Sequence, residues 1–119
     1  MSEKRIIATE QRTFEEIVDA LPGQKQWAKA VFNRINRIAT LPAHAKVLDL
    51  GAAAGGFLVA CSQFGYRCQG IEPWDEARLK AVELSEHLSI PIHISDGVAE
   101  SIPFNANTFD VVHASSVIE

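Results

Sequence analysis

A chain of 119 residues suffices for one compact domain around one core and falls short of two. Its net charge of −4, with no basic run, lacks the electrostatic footprint of a phosphate-backbone binder, so nucleic acid is not an expected partner. With 47% hydrophobic and 22% charged residues the composition excludes wholesale disorder, and no apolar run approaches the roughly 18 residues of a membrane span.

No apolar signal core follows Met1-Ser2-Glu3-Lys4-Arg5, which points to a cytoplasmic protein. Cys61 and Cys68 are too few for a disulfide framework and form no metal-ligand spacing with the scattered His44, His87 and His93, so no metal site is expected. Both are expected to be core thiols.

In chain order, Thr13-Phe14-Glu15-Glu16 is a capping box that starts a short helix over about 14–21, ended by Leu21-Pro22-Gly23. A second helix over about 24–39 carries Trp27, Val31, Ile35 and Ile38 in one apolar stripe. These elements form an N-terminal helical segment, 1–45, packing on a core of 46–119. Lys46 to Leu50 is a short apolar run suited to a buried strand. Gly55 to Phe64 is a helix closed by Gly65 in a left-handed cap. Tyr66 to Glu72 is a strand, and Asp75 to Leu88 a helix burying Ala77, Ala81, Leu84 and Leu88. Strands follow at Ile90 to Ile94 and Phe109 to Ala114. This alternation defines an α/β, Rossmann-like open parallel sheet with flanking helices.

Ligands of such sheets bind beyond the carboxyl ends of the strands. Past the first strand stands Asp49-Leu50-Gly51-Ala52-Ala53-Ala54-Gly55-Gly56, where glycine allows a sharp turn and a helix start offers free N–H groups. Past the second stands Glu72, a carboxylate able to accept from two ribose hydroxyls, and past the third Ser95-Asp96-Gly97-Val98-Ala99.

The stretch from Lys46 to Glu119 resembles the amino-terminal part of a class I S-adenosylmethionine-dependent methyltransferase. The family's D/E-x-G-x-G-x-G motif is met by Asp49, Gly51, Ala53 and Gly55, its second-strand acid by Glu72, and its third-strand aspartate by Asp96. The run from Ile102 to Val112 resembles the family's LPF…FDVV stretch. The resemblance implies S-adenosyl-L-methionine as cofactor, with Asp49 and the loop Gly51–Gly55 on its methionine part. It further implies Glu72 on the ribose, Pro73 and Trp74 against the adenine, and Asp96 on the adenine amine with Gly97 and Val98 beside it. His113 and Ala114 fall near the sulfonium and the substrate. Ala53 departs from the motif's middle glycine.

No catalytic base is evident, and His113-Ala114-Ser115-Ser116 is not the D/N-P-P-Y signature of base-amino methylation. A small molecule is the expected methyl acceptor. Gly51-x-Ala53-x-x-Gly56 with Glu72 is also a degenerate dinucleotide fingerprint, so an NAD(P)-binding domain is the competing enzyme reading. A seven-stranded family sheet would be truncated here after its fourth strand, leaving a cofactor-binding fragment without turnover as the non-enzyme reading. In the family's order 3-2-1-4, the fourth strand would present an unpaired edge at Val111 and Val112. One sheet face would then be covered only by Gly97–Ser101, and homodimerisation or aggregation through these surfaces is expected.

Overall fold

The computed structural model describes residues 12–97 and 108–114. In chain order the elements are α1 (Phe14–Ile38), β1 (Lys46–Leu50), α2 (Gly56–Gln63), β2 (Arg67–Ile71), α3 (Asp75–Leu88), β3 (Ile94–Ser95) and β4 (Val111–His113). The four strands form one parallel sheet in the order β3-β2-β1-β4, the expected arrangement.

The two expected N-terminal helices are one. The Thr13–Glu16 capping box starts α1 as expected, but the helix continues through Pro22 to Ile38. Pro22 removes one helical donor, a cost of about 3 kcal/mol in a helix interior. Packing on both sides of it outweighs that cost. Ile17 is buried, with Phe14, Val18 and Leu21 packed against its cluster, while Ala28 and Phe32 anchor the second half beside Val47, Phe57 and Cys61.

Continuity also resets the buried face. Ile17, Leu21, Ala28, Phe32 and Ile35 point inward, at helical spacings of four, seven, four and three residues. Trp27 and Ile38, expected in the stripe, are 50% and 83% exposed.

β1 pairs with β2 on one side and β4 on the other, so its residues alternate between two covered faces. Val47 and Asp49 face the helices; Leu48 and Leu50 face away, clustered with Ile71 and Phe109. That far face departs from the bare surface expected from sequence: Leu48 and Ile71 are each 1% exposed. Among the described residues, apolar exposure there is concentrated at Val112, 55% exposed on β4, which holds an outer position of the described sheet.

The third strand is shorter than expected, and its amino half belongs to the helix exit. Ser85 donates from Oγ to the Ile90 carbonyl at 2.6 Å and accepts the Ile90 N–H at its own carbonyl at 3.2 Å. Pro91 has no N–H to offer a ladder. Ile90 and Ile92 therefore pack under α1 and α3 beside Ile17 and Leu84, and pairing begins only at Ile94.

Gly70 explains how closely β2 approaches the loop after β1. A Cβ at this position would lie 2.6 Å from Ala52 Cβ and 2.8 Å from Leu58 Cδ1.

Candidate cofactor-binding site

The carboxyl end of β1 turns at once. Gly51 and Ala52 both donate to the Ile71 carbonyl, at 2.8 and 3.0 Å, and Gly55 donates to the Ala52 carbonyl at 2.9 Å. The turn needs left-handed backbone at Gly51 (φ 73°), Ala53 (φ 52°) and Gly55 (φ 89°). Two of these positions carry glycine; Ala53 holds the same geometry with a methyl group, at a cost of about 1–2 kcal/mol. α2 then starts at Gly56 with no side-chain cap, so its first-turn donors are not consumed by one.

Glu72 fastens this loop. It is 2% exposed, Oε1 accepts from the Ala53 N–H at 2.8 Å, and Oε2 accepts from the Trp74 N–H at 3.1 Å. A carboxylate has about four lone-pair directions, so two amide bonds do not exhaust it.

Asp49 is the other buried carboxylate, 4% exposed, flanked in register by Gly70 on β2 and His113 on β4. His113 Nδ1 lies 2.8 Å from Asp49 Oδ1. The imidazole stacks on Phe57 with centroids 3.9 Å apart and meets the edge of Trp27 at 6.4 Å. Its Nε2 is buried without a hydrogen-bond partner among the described residues. Burial pushes the Asp49 carboxyl above the usual carboxylate range, while the His113 hydrogen bond and charge pull it back.

At the end of β3 the setting changes. The Asp96 side chain is 74% exposed and pairs with Arg78 Nη1 at 3.3 Å. Arg78 also donates to the Glu72 carbonyl and pairs with Asp75, so one guanidinium ties together the exits of β2 and β3. Trp74 and Pro73 lie exposed on the same rim, and Gly97 follows Asp96; Val98 is outside the described residues.

Arg78, Trp27 and Gln24 are neighbours of this rim that sequence reasoning missed. Arg78 had a signal: a cation in the first turns of a helix opposes the helix dipole and needs acidic partners. Gln24 lies against the start of α2, within 3.1 Å of a Cβ built at Gly56. It and Trp27 are hidden in the sequence because nothing local tells that α1 packs against the start of α2 and reaches His113. A separate groove of about 490 Å³ opens at the amino ends of the strands, beside Lys46, Arg67 and His93, and is lined by none of the rim residues.

An open parallel sheet with acids at the carboxyl ends of three strands around a glycine-containing loop defines a Rossmann-like α/β domain. Residues 24–119 match the family model of the methyltransferase domain, and the chain belongs to that family, with the fold of class I S-adenosylmethionine-dependent methyltransferases. It is 30% identical over 77 residues to the uncharacterized methyltransferase YcgJ of Bacillus subtilis, covering 64% of this chain and 30% of that one. It is also 30% identical over 86 residues to the sarcosine/dimethylglycine N-methyltransferase of Aphanothece halophytica, covering 70% of this chain and 31% of that one. The solved YcgJ structure superposes with a TM-score of 0.60 at 28% identity, over 69% of this chain and 36% of that one. A Methanococcus maripaludis structure reaches a TM-score of 0.71 at 17% identity, over 88% of this chain and 52% of that one, a likeness of fold alone. The chain spans about a third of the length of the curated relatives it matches.

Proposed function

We propose that the chain forms the cofactor-binding part of a methyltransferase that uses S-adenosyl-L-methionine to methylate a small-molecule acceptor. The observation that carries this reading is the row of Asp49, Glu72 and Asp96 along the carboxyl ends of β1, β2 and β3, arranged around the 51–55 turn. Asp49 receives the cationic methionine end, Glu72 accepts from the ribose diol while holding the loop, and Asp96 accepts from the adenine amine. Gly51, Ala53 and Gly55 bring backbone close to the ligand, Pro73 and Trp74 supply apolar contact, and Gly97, Val98 and His113 complete the surround. When bound, the cofactor supplies a methyl group already activated on a sulfonium, so the protein mainly aligns the acceptor and excludes water.

Net charge of −4 with no basic run argues for a small acceptor over a nucleic acid, and the sarcosine/dimethylglycine enzyme among the relatives acts on small amines by its name. No described helix is long and apolar enough to cross a membrane, and Cys61 and Cys68 are free thiols; both fit a cytoplasmic setting. The outer position of β4, with Val112 exposed, makes it the candidate edge for homodimer contact.

Calorimetric titration with S-adenosylhomocysteine and, separately, NADH tests the cofactor assignment. Binding of the first and not the second is expected; binding of NADH alone would reverse it. Cofactor binding with little turnover is the companion reading, checked by a methyl-transfer assay on the same sample.

A further inference from the structure

The Asp49–His113 pair is more closely built than a surface ion pair. Asp49 and His113 are register partners on adjacent strands, and their side chains are only 6% and 11% exposed. Phe57 covers one ring face at an interplanar angle of 9°, which sets the ring plane, and the 2.8 Å contact sets its rotation. Such a ring has one free choice left, its tautomer.

Two arguments select the Nδ1–H form. An ionised carboxylate only accepts, so the atom facing Asp49 Oδ1 must carry the proton. Nε2 is buried without a partner among the described residues, and an acceptor so placed is tolerated better than an orphaned N–H donor. The imidazole thereby presents an Nδ1–H donor aimed at one oxygen of a desolvated carboxylate.

Resting on the reading of this rim as the cofactor site, we propose that His113 is a positioning residue. Its Nδ1–H keeps the Asp49 carboxylate ionised and oriented for the α-ammonium at the methionine end of the cofactor. Around the pair stand the Gly70 backbone from β2, Phe57 and the Cys61 thiol from α2, and Trp27 from α1. A hydrogen bond with the Cys68 thiol and burial hold the Cys61 thiol protonated. Among the described residues His113 is therefore the group that offsets the burial of Asp49. Without it, burial acts alone and the carboxyl takes up its proton at higher pH. A protonated Asp49 loses the charge that an ammonium requires.

Two substitutions separate positioning from mere packing. His113→Phe keeps the ring stack on Phe57 and removes the donor; His113→Asn keeps a side-chain N–H near the Nδ1 place and removes the ring. The affinity for S-adenosylhomocysteine is measured by calorimetry between pH 5.5 and 8.5 for both variants and the unsubstituted chain. His113→Phe should bind at least about tenfold more weakly at pH 6 and recover to within about threefold at pH 8.5, while His113→Asn follows the unsubstituted chain. Loss by one constant factor at every pH in His113→Phe would mean a structural role and overturn the proposal. A complete absence of binding by the unsubstituted chain would instead overturn the cofactor reading beneath it. Imidazole nitrogen shifts in the unliganded chain give a check independent of folding of the variants: Nδ1–H is expected at His113, and an Nε2–H tautomer would refute it.

Discussion

Asp49 and Asp96 obey the same local pattern, an acid at the carboxyl end of a parallel strand, yet they stand in opposite surroundings. Asp49 belongs to a five-residue strand paired on both sides, is 4% exposed, and meets a histidine held by ring stacking. Asp96 follows a two-residue strand paired within the described sheet on one side, and meets an arginine at the surface. Strand order makes the difference: neighbours on both sides strip water from the first carboxylate, while the edge leaves the second hydrated. A desolvated charge orients a ligand strongly and burdens folding; a hydrated one does less of both. Glu72 lies between them, buried like Asp49 but provided with two backbone donors.

The largest effect that would sharpen this contrast is at Glu72. Glu72→Ala leaves the part-buried Ala53 and Trp74 N–H groups without their acceptor, at about 1 kcal/mol each because water can partly replace it, so a loss of roughly 2 kcal/mol in denaturant stability is expected. Weaker cofactor binding should accompany it by about one to two powers of ten. Unchanged stability would show that the staple carries no weight.

Asp49→Asn should separate function from folding. Affinity for S-adenosylhomocysteine is expected to fall about 10- to 100-fold, from loss of a charge-assisted contact of roughly 1.5–3 kcal/mol. Stability should move the other way. Because the native carboxyl titrates above its unfolded value, the native state binds more protons between those values, and its stability falls as pH rises through them. The Asn variant, with no such group, should gain on the unsubstituted chain at neutral pH and lose that advantage near pH 4. Parallel melts at the two pH values decide it, and an equal difference at both would break the account.

Asp96→Asn should cost a few tenths of a kcal/mol, as for surface pairs, with a change in cofactor affinity of a few-fold. A loss matching that of Asp49→Asn would abolish the contrast between buried and exposed ends. Smallest is Ala53→Gly. Relief of left-handed strain, about 1–2 kcal/mol, is largely offset by the added freedom of the unfolded chain, about 0.4–1 kcal/mol. A gain of up to about 1 kcal/mol is expected in the melt; a loss would mean that the Ala53 methyl packs usefully.

Several of these features are legible in the amino-acid sequence. The capping box at Thr13, the Asp49–Gly55 turn and the left-handed Gly65 are local: each depends on residues within one or two turns of chain, and each is present where expected. Pro22 misleads because helix breaking is a local tendency of about 3 kcal/mol, and anchorage of Ile17 and Phe32 on either side is not local. The third strand starts later than its composition suggests for a similar reason. Ile90 and Ile92 have the residue types of a strand, but Pro91 and the Ser85 bonds commit them to the end of α3.

The sequence by itself determined the alternation of strands and helices, the acids that end the strands, and the family, because periodicity and motif spacing are written along the chain. It could not say that His113 turns toward Asp49, that each Glu72 oxygen accepts a backbone amide, or that α1 brings Gln24 against the start of α2 and Trp27 against His113. These join residues 19 to 64 positions apart in the case of Glu72 with Ala53 and His113 with Asp49. Such pairings follow from sheet register and helix packing, which emerge only when the whole core closes and one arrangement buries the most apolar surface with its polar groups matched.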